Sequence, residues 1–208
     1  MRLILIRHGE TDWNKKFMTQ GHTDIELNET GLRQAMAVAK RINEFENVDY
    51  IYSSPLKRAY KTAQIIKDSC ASCRDIIKDE RLMEIGFGKW EGKTFSSLNA
   101  DFPEDMRMWG ENPYECLIPE GESVKDVDKR CKSFMKDLKA AHKEGTVLVS
   151  AHALICKLII AKSLGLDPKN IHNFKLYNTS LNIIEINPNK TVLITLNDTS
   201  HLEDVVAI

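Results

Sequence analysis

The 208-residue chain has no apolar run able to cross a bilayer. Stretches such as Ala153–Ala161 are interrupted by Lys157 and fall well short of the ~20 residues that a span requires. A surplus of either charge is also lacking. Lys and Arg number 29 against 30 Asp and Glu, a formal net charge of −1, so no global positive field draws the chain to nucleic acid or to an anionic membrane. Any anion it binds must be held by a local cluster. Glycine (10) and proline (6) are sparse and no repeat or low-complexity tract is present, which excludes collagen-like and linker-rich architectures. With 42% hydrophobic and 28% charged residues, whole-chain disorder is excluded too. Arg2 is followed by only four apolar residues before Arg7-His8, which is no export leader, and a cytoplasmic location is the expectation. Cysteine is scarce and odd in number: Cys70, Cys73, Cys116, Cys131 and Cys156 are expected as reduced thiols rather than a disulfide framework. Cys70 and Cys73 have metal-clip spacing without a second pair, so no zinc or redox role is expected of them.

What is present is a chain long enough for one sizeable core, read as a single domain over 1–208. Strand-like and helix-like periodicities alternate along it, which predicts an α/β fold: a three-layer sandwich, mostly parallel sheet with helices on both faces and an antiparallel edge. Leu3-Ile4-Leu5-Ile6 is a continuous apolar run of the kind buried on both faces of a sheet. From Thr30-Gly31 onward, Leu32, Ala35, Met36, Ala39 and Ile42 recur at helical spacing. A strand is predicted at about 50–53, then a helix with Ser54 as N-cap and Pro55 in its first turn, burying Leu56, Ala59, Ala63 and Ile66. Ser123 is the expected cap of a helix burying Val124, Val127, Cys131, Phe134 and Leu138, whose Lys-rich outer face reads as solvated. Thr146–Ser150 reads as a buried strand feeding an apolar helix from His152 to about Ser163. Leu181–Ile186 and Thr191–Leu196 flank a turn at Asn187-Pro188-Asn189-Lys190 and suit a hairpin at the sheet edge.

Three buried strands therefore end in polar residues: Arg7-His8, Ser53-Ser54 leading to Arg58, and Ser150-Ala151-His152. Ligands of open α/β sheets bind beyond the carboxyl ends of the strands, so two histidines and two arginines are expected to converge there. Helix N-termini beside them favour an anion such as phosphate.

The stretch Leu5-Ile6-Arg7-His8-Gly9-Glu10-Thr11-Asp12-Trp13-Asn14 resembles the signature of the histidine phosphatase superfamily, the phosphoglycerate mutase-like family. The resemblance continues through Gln20-Gly21, Ser53-Ser54-Pro55-Leu56-Lys57-Arg58-Ala59, Glu84 and His152, nearly the whole chain. It implies that His8 is the nucleophile that becomes phosphorylated, that Arg7, Arg58 and His152 complete the catalytic pocket, and that Glu84 is the proton donor, with Glu91 its local competitor. Thr11, Asn14, Gln20, Gly21 and Ala153 are the implied phosphate- and substrate-binding positions. Ala153 stands where the family usually has glycine.

The resemblance further implies a metal-independent phosphomonoester hydrolase that needs no cofactor and acts on a small phosphorylated metabolite. A sugar phosphate, phosphoglycerate, phosphoserine or ribazole phosphate are the substrates to consider, in a branch similar to alpha-ribazole phosphatase. Two other readings remain open: a cofactor-dependent phosphoglycerate mutase, and a non-catalytic module that binds phosphorylated ligands. Gly110-Glu111 after Trp109 speaks against the mutase, because the adjacent arginines that such mutases carry in this insertion are missing. A monomer or homodimer is expected. Surface or structural roles are expected for His142, His172 and His201, whereas His22, beside Gly21, is a candidate substrate contact, and Trp90 and Trp109 candidate linings of the pocket mouth.

Overall fold

A computed structural model of the chain describes residues 1–70 and 73–203. Six strands form one sheet in the order β3-β2-β4-β1-β5-β6. They are β1 (Arg2–Arg7), β2 (Tyr50–Ser53), β3 (Ile77–Lys78), β4 (Thr146–Ala151), β5 (Leu181–Asn187) and β6 (Lys190–Asp198). β1, β2, β3 and β4 run parallel, while β5 pairs antiparallel with β1 and β6 antiparallel with β5. The expected α/β class, mixed sheet and antiparallel edge hairpin are thus borne out.

The apolar run in β1 is explained by two-sided cover. Leu3 and Leu5 join Val147, Val149, Phe134, Leu138, Ile155 and Ile159 in one cluster. Ile4 and Ile6, pointing the opposite way, join Val38, Ile42, Ala63, Ile66 and Leu148 in the other. One face is therefore packed by α2 (Glu29–Phe45) and α3 (Lys57–Ser69), and the other by α6 (Val124–Ala141) and α7 (Ala153–Ser163). All four residues of the run are fully buried, each worth about 1.5–3 kcal/mol relative to exposure. α4 (Phe95–Asp101) and α5 (Pro103–Glu111) add Leu98 and Met106 to the first cluster, whereas α1 (Asp12–Lys15) buries no residue.

Three local expectations are corrected. α2 buries Val38 in place of Met36, which is exposed, so the helix is rotated relative to the predicted stripe. Ser54 does not cap α3, which begins at Lys57 after Leu56 without a side-chain cap. The Ser54 hydroxyl is instead turned toward α7, as described below. Cys70 and Cys73 form a disulfide at the C-terminal end of α3, where the chain brings their Cα atoms to 5.6 Å, within bridging range. The expectation of five reduced thiols holds only for Cys116, Cys131 and Cys156. Ser123 does cap α6, accepting the Asp126 N–H, and the five predicted apolar positions of that helix are buried. Among the described residues no helix is long and apolar enough to cross a membrane.

Candidate active site

β1 and β4 end side by side, Arg7 opposite Ala151, and Ser53 at the end of β2 lies opposite Ser150. The next residue of each strand, His8, His152 and Ser54, therefore emerges at the same edge. The backbone leaves β1 through a tight approach to α2: a Cβ at Gly9 would meet the Gly31 carbonyl oxygen at 2.5 Å, so glycine is required there. Beyond these strand ends lies a cavity of about 290 Å³ lined by Arg7, His8, Asn14, Gln20, Gly21, Arg58, Glu84 and Ala153. Eight of the ten sequence-predicted positions are thus brought together on one cavity.

The remaining two stand behind it. Thr11 caps α1 in a capping box, its hydroxyl accepting the Asn14 N–H at 3.1 Å while Asn14 Oδ1 accepts the Thr11 N–H at 3.2 Å. Asn14 Oδ1 also accepts from Asn178 Nδ2 at 3.3 Å. With its oxygen so occupied, Asn14 has its amide N–H donors left for a ligand. His152 is fully buried, its ring 5.2 Å from that of His8.

His8 is held by a single short contact, Nδ1 to the Gly9 carbonyl at 2.7 Å. A carbonyl only accepts, so Nδ1 carries the proton and Nε2 keeps its lone pair. Burial, with Arg58 and Arg7 nearby, pushes the His8 pKa well below its ordinary value, so the ring is neutral at physiological pH. His152 is lowered in the same direction, first by burial and then by Arg58. Its Nε2 lies 2.9 Å from Ser54 Oγ, which accepts the Leu56 N–H at 3.3 Å. His152 Nδ1 is buried and without a partner among the described residues.

Arg58 is fully buried and Arg7 half-buried, and neither cation has an ion-pair partner among the described residues. Arg58, fully buried, donates to the carbonyls of Thr23 at 2.9 Å and Gly21 at 2.7 Å. Arg7 donates to the Leu176 carbonyl at 2.7 Å. The Nε–H of each is buried and unpaired among the described residues. Desolvation lowers both pKa values, that of Arg58 to about 10. Gly21 presents its carbonyl to Arg58 from a left-handed backbone (φ 56°), and a Cβ there would collide with Glu91 Oε1 and the Phe87 nitrogen.

Glu84 is the acid on the cavity wall. Its carboxylate accepts the Ile85 N–H at 3.1 Å and, at the start of α7, the Leu154 N–H at 3.4 Å. Those contacts and the arginines favour the charged form, yet burial dominates and the pKa is raised. Glu91, the competitor, is committed elsewhere: it accepts the N–H groups of His22 (2.9 Å), Thr23 (2.9 Å) and Phe87 (3.1 Å) and the Thr23 hydroxyl (2.5 Å).

Several site features were not foreseen from sequence. Arg130, within the Lys-rich helix, donates to the carbonyls of Arg81, Met83 and Glu84 and pairs with Glu122 at 3.0 Å, bracing the loop that carries Glu84. His22 meets the Glu84 carbonyl at 2.8 Å and does not line the cavity. Trp90 is core, whereas Trp109 lines the cavity together with Phe87, Phe95, Lys157 and His172. His172, expected at the surface or in a structural role, is exposed and lies at the edge of the cavity, its Nε2 2.9 Å from the Trp109 carbonyl. Among the described residues no group of three or more His, Cys, Asp or Glu is arranged to hold a metal ion.

Residues 3–199 match the histidine phosphatase superfamily (branch 1). The chain belongs to this family. It is similar to phosphoserine phosphatase 1 of Hydrogenobacter thermophilus, with 36% identity over 97% of this chain and 94% of that one. Among solved structures, the phosphoserine phosphatase of Entamoeba histolytica in complex with phosphoserine superposes with a TM-score of 0.83 at 37% identity, over 97% and 98% of the two chains. The alpha-ribazole phosphatase of Shigella flexneri superposes with a TM-score of 0.84 at 26% identity, over 95% and 96%. The expected family and the expected phosphoric monoester hydrolase class are borne out.

Proposed function

We propose that this histidine phosphatase family member hydrolyses small phosphomonoesters through a phosphohistidine at His8, with no metal taking part. The observation that carries the reading is the convergence, on one cavity, of buried Arg58 and half-buried Arg7, both without a carboxylate partner among the described residues, with a buried neutral histidine whose Nε2 is unprotonated. A phosphate dianion supplies the charge that such a site lacks, and guanidinium groups match its oxygens in geometry. Phosphatase relatives, three of them named as phosphoserine phosphatases, support the same reading, and phosphoserine and related small esters are the first substrates to try.

In the first step the His8 Nε2 lone pair forms the N–P bond as the ester P–O bond breaks, and the departing oxygen takes the proton of Glu84. In the second, water attacks phosphorus, the Glu84 carboxylate takes a water proton, and the P–N bond breaks to release phosphate and neutral His8. Arg7, Arg58 and the Asn14 amide stabilise charge on the transferring phosphoryl group, with His152 behind His8, each such preorganised donor being worth about 3–4 kcal/mol. Gln20, Gly21 and Ala153 shape the walls around it.

Phosphate release from a panel of phosphomonoesters, in EDTA, tests the proposal. It is expected to persist in the wild type and to vanish in His8→Ala. Isomerisation of 3-phosphoglycerate without release, dependent on added bisphosphate, would move the chain to the mutases. Stoichiometric ligand binding without turnover would make it a binding module.

A further inference from the structure

Glu84 sits in a stretch without regular structure. Residues 83–87 belong to no helix or strand, so the carbonyls there have no ladder of backbone partners and must be held in other ways. Side chains from two other parts of the chain hold them. Arg130, on α6, donates from Nη1 to the carbonyls of Arg81 (2.7 Å) and Met83 (2.5 Å) and from Nη2 to that of Glu84 itself (3.0 Å). His22, in the loop whose Gly21 and Thr23 carbonyls hold Arg58, meets the same Glu84 carbonyl through Nε2 at 2.8 Å. A carbonyl only accepts, so Nε2 is the donor. Glu122 closes the bracket: it pairs with Arg130 Nη2 at 3.0 Å, accepts the Gly86 N–H at 2.8 Å and lies 3.4 Å from His22 Nε2.

This bracket reaches the acid through its backbone. None of Arg130, Glu122 and His22 lines the cavity; they grip the peptide of Glu84, whose carboxylate accepts the Ile85 and Leu154 N–H groups at 3.1 and 3.4 Å. Arg130 works from an anchored helix, because Val127, Cys131 and Phe134 of α6 are buried in the core. A planar guanidinium can address three carbonyls and a carboxylate at once, which a lysine ammonium, with three donors on one atom, cannot. Proton transfer is sensitive to such support, since misplacing a reacting group by about 1 Å costs on the order of 10²-fold.

Resting on the reading of Glu84 as the proton donor, we infer that Arg130 is a positioning residue for the acid, holding the Glu84 peptide jointly with His22 so that the carboxyl group meets the leaving oxygen. Through His22 the same bracket ties the acid to the loop that holds Arg58, so the phosphate clamp and the proton donor keep a fixed relation.

The test measures kcat/KM, which reports the step that breaks the ester bond, for the alkyl phosphate of the phosphomonoester panel that the wild type hydrolyses fastest and for p-nitrophenyl phosphate, whose leaving group needs no proton. Arg130→Gln is expected to lower the alkyl value about tenfold to a hundredfold and the p-nitrophenyl value by no more than about threefold. Arg130→Lys should recover only part of the alkyl loss. His22→Ala removes one of the two side-chain donors to the Glu84 carbonyl while Glu122 keeps Arg130, and should separate the two esters in the same direction by a smaller factor. In a Glu84→Gln background neither substitution should change the alkyl value by more than about twofold, because residues that act through one group are not additive. Equal losses on both esters in a protein that circular dichroism shows to be folded, no loss on the alkyl ester, or losses that add to that of Glu84→Gln would each overturn the proposal. Should Arg130→Gln not fold, His22→Ala and its cycle with Glu84→Gln decide it by the same criteria. Wild-type release from p-nitrophenyl phosphate alone would show that Glu84 protonates no leaving group, overturning the proposal while the phosphatase reading stands. No release from any ester would instead sink the phosphatase reading, and this proposal with it.

Discussion

Acidification should unfold this protein through its two buried histidines, and the size of the effect follows from their burial. His8 is 3% exposed and His152 is fully buried, and both are held well below the ordinary histidine pKa by desolvation and the arginines. In the unfolded chain each titrates near ~6.5. Below that pH the unfolded state binds protons that the native state refuses, so stability is fully present above ~6.5 and is lost as pH falls toward the native pKa values. At pH 5.5 a native histidine that stays neutral costs RT ln(1 + 10), about 1.4 kcal/mol, and the pair about 2.8 kcal/mol. Glu84 acts with the opposite sign. Its raised pKa means that the native state holds a proton that the unfolded state releases, which adds stability on acidification until the ordinary glutamate value of 4.5 is passed. Urea unfolding at pH 7.5 and 5.5, in buffers free of phosphate, measures the balance. Asparagine at either position does not titrate, so His8→Asn and His152→Asn should each reduce the loss between the two pH values by about 1.4 kcal/mol, whatever they do to absolute stability. An unchanged pH dependence in both variants would refute the assignment of neutral, proton-refusing histidines.

Glu84→Gln should lower kcat on an alkyl phosphate about 10²–10⁴-fold and far less on p-nitrophenyl phosphate, whose leaving group needs no proton; equal losses would remove Glu84 as the acid. Glu91→Gln, by contrast, should lower the melting temperature by weakening the contacts to Thr23 and Phe87 and leave that leaving-group dependence in place. Ala153 begins α7 without a left-handed backbone, so glycine there should leave kcat/KM within about twofold and cost up to about 1 kcal/mol in urea unfolding; a large gain in kcat/KM would show that the methyl group crowds the phosphate.

The sheet was legible because two-sided burial writes unbroken apolar runs, and the site was legible because three such runs stop at Arg7-His8, Ser53-Ser54 and Ala151-His152. Roles set by distant packing were not. Ser54 before Pro55 carries every local mark of a helix cap, yet its hydroxyl serves His152, which stands 98 residues away in the chain. Thr11 sits inside the signature but acts as a cap, a role that its spacing to Asn14 encodes just as well. Lys157 reads as a flaw in an apolar helix until β4 fixes which face of α7 borders the cavity. Arg130 is hidden in a Lys-rich face because its importance comes from carbonyls on another loop. The Cys70–Cys73 bridge escaped because an odd cysteine count says nothing about how a helix end disposes two neighbours.

The electrostatics of the site explain why its stability and its function oppose one another. A buried arginine is ordinarily matched by a carboxylate, since an unpaired buried ion costs several kcal/mol. Arg58 is matched only by carbonyl dipoles, from Gly21 and Thr23, and Arg7 only by that of Leu176. A carboxylate in those places would stabilise the free protein and compete with the phosphate for the same donors. Among the described residues that line the cavity Glu84 is the one acid, and burial moves it toward the neutral form, in which it neither cancels the arginines nor repels a dianion. In the proposed mechanism the proton that keeps Glu84 from competing is the proton it gives to the leaving group, so a single effect, desolvation, both preserves the anion site and arms the acid. Once that proton is spent, the same proposed mechanism has the carboxylate face a phosphoryl group bonded to His8 and take a proton from the attacking water.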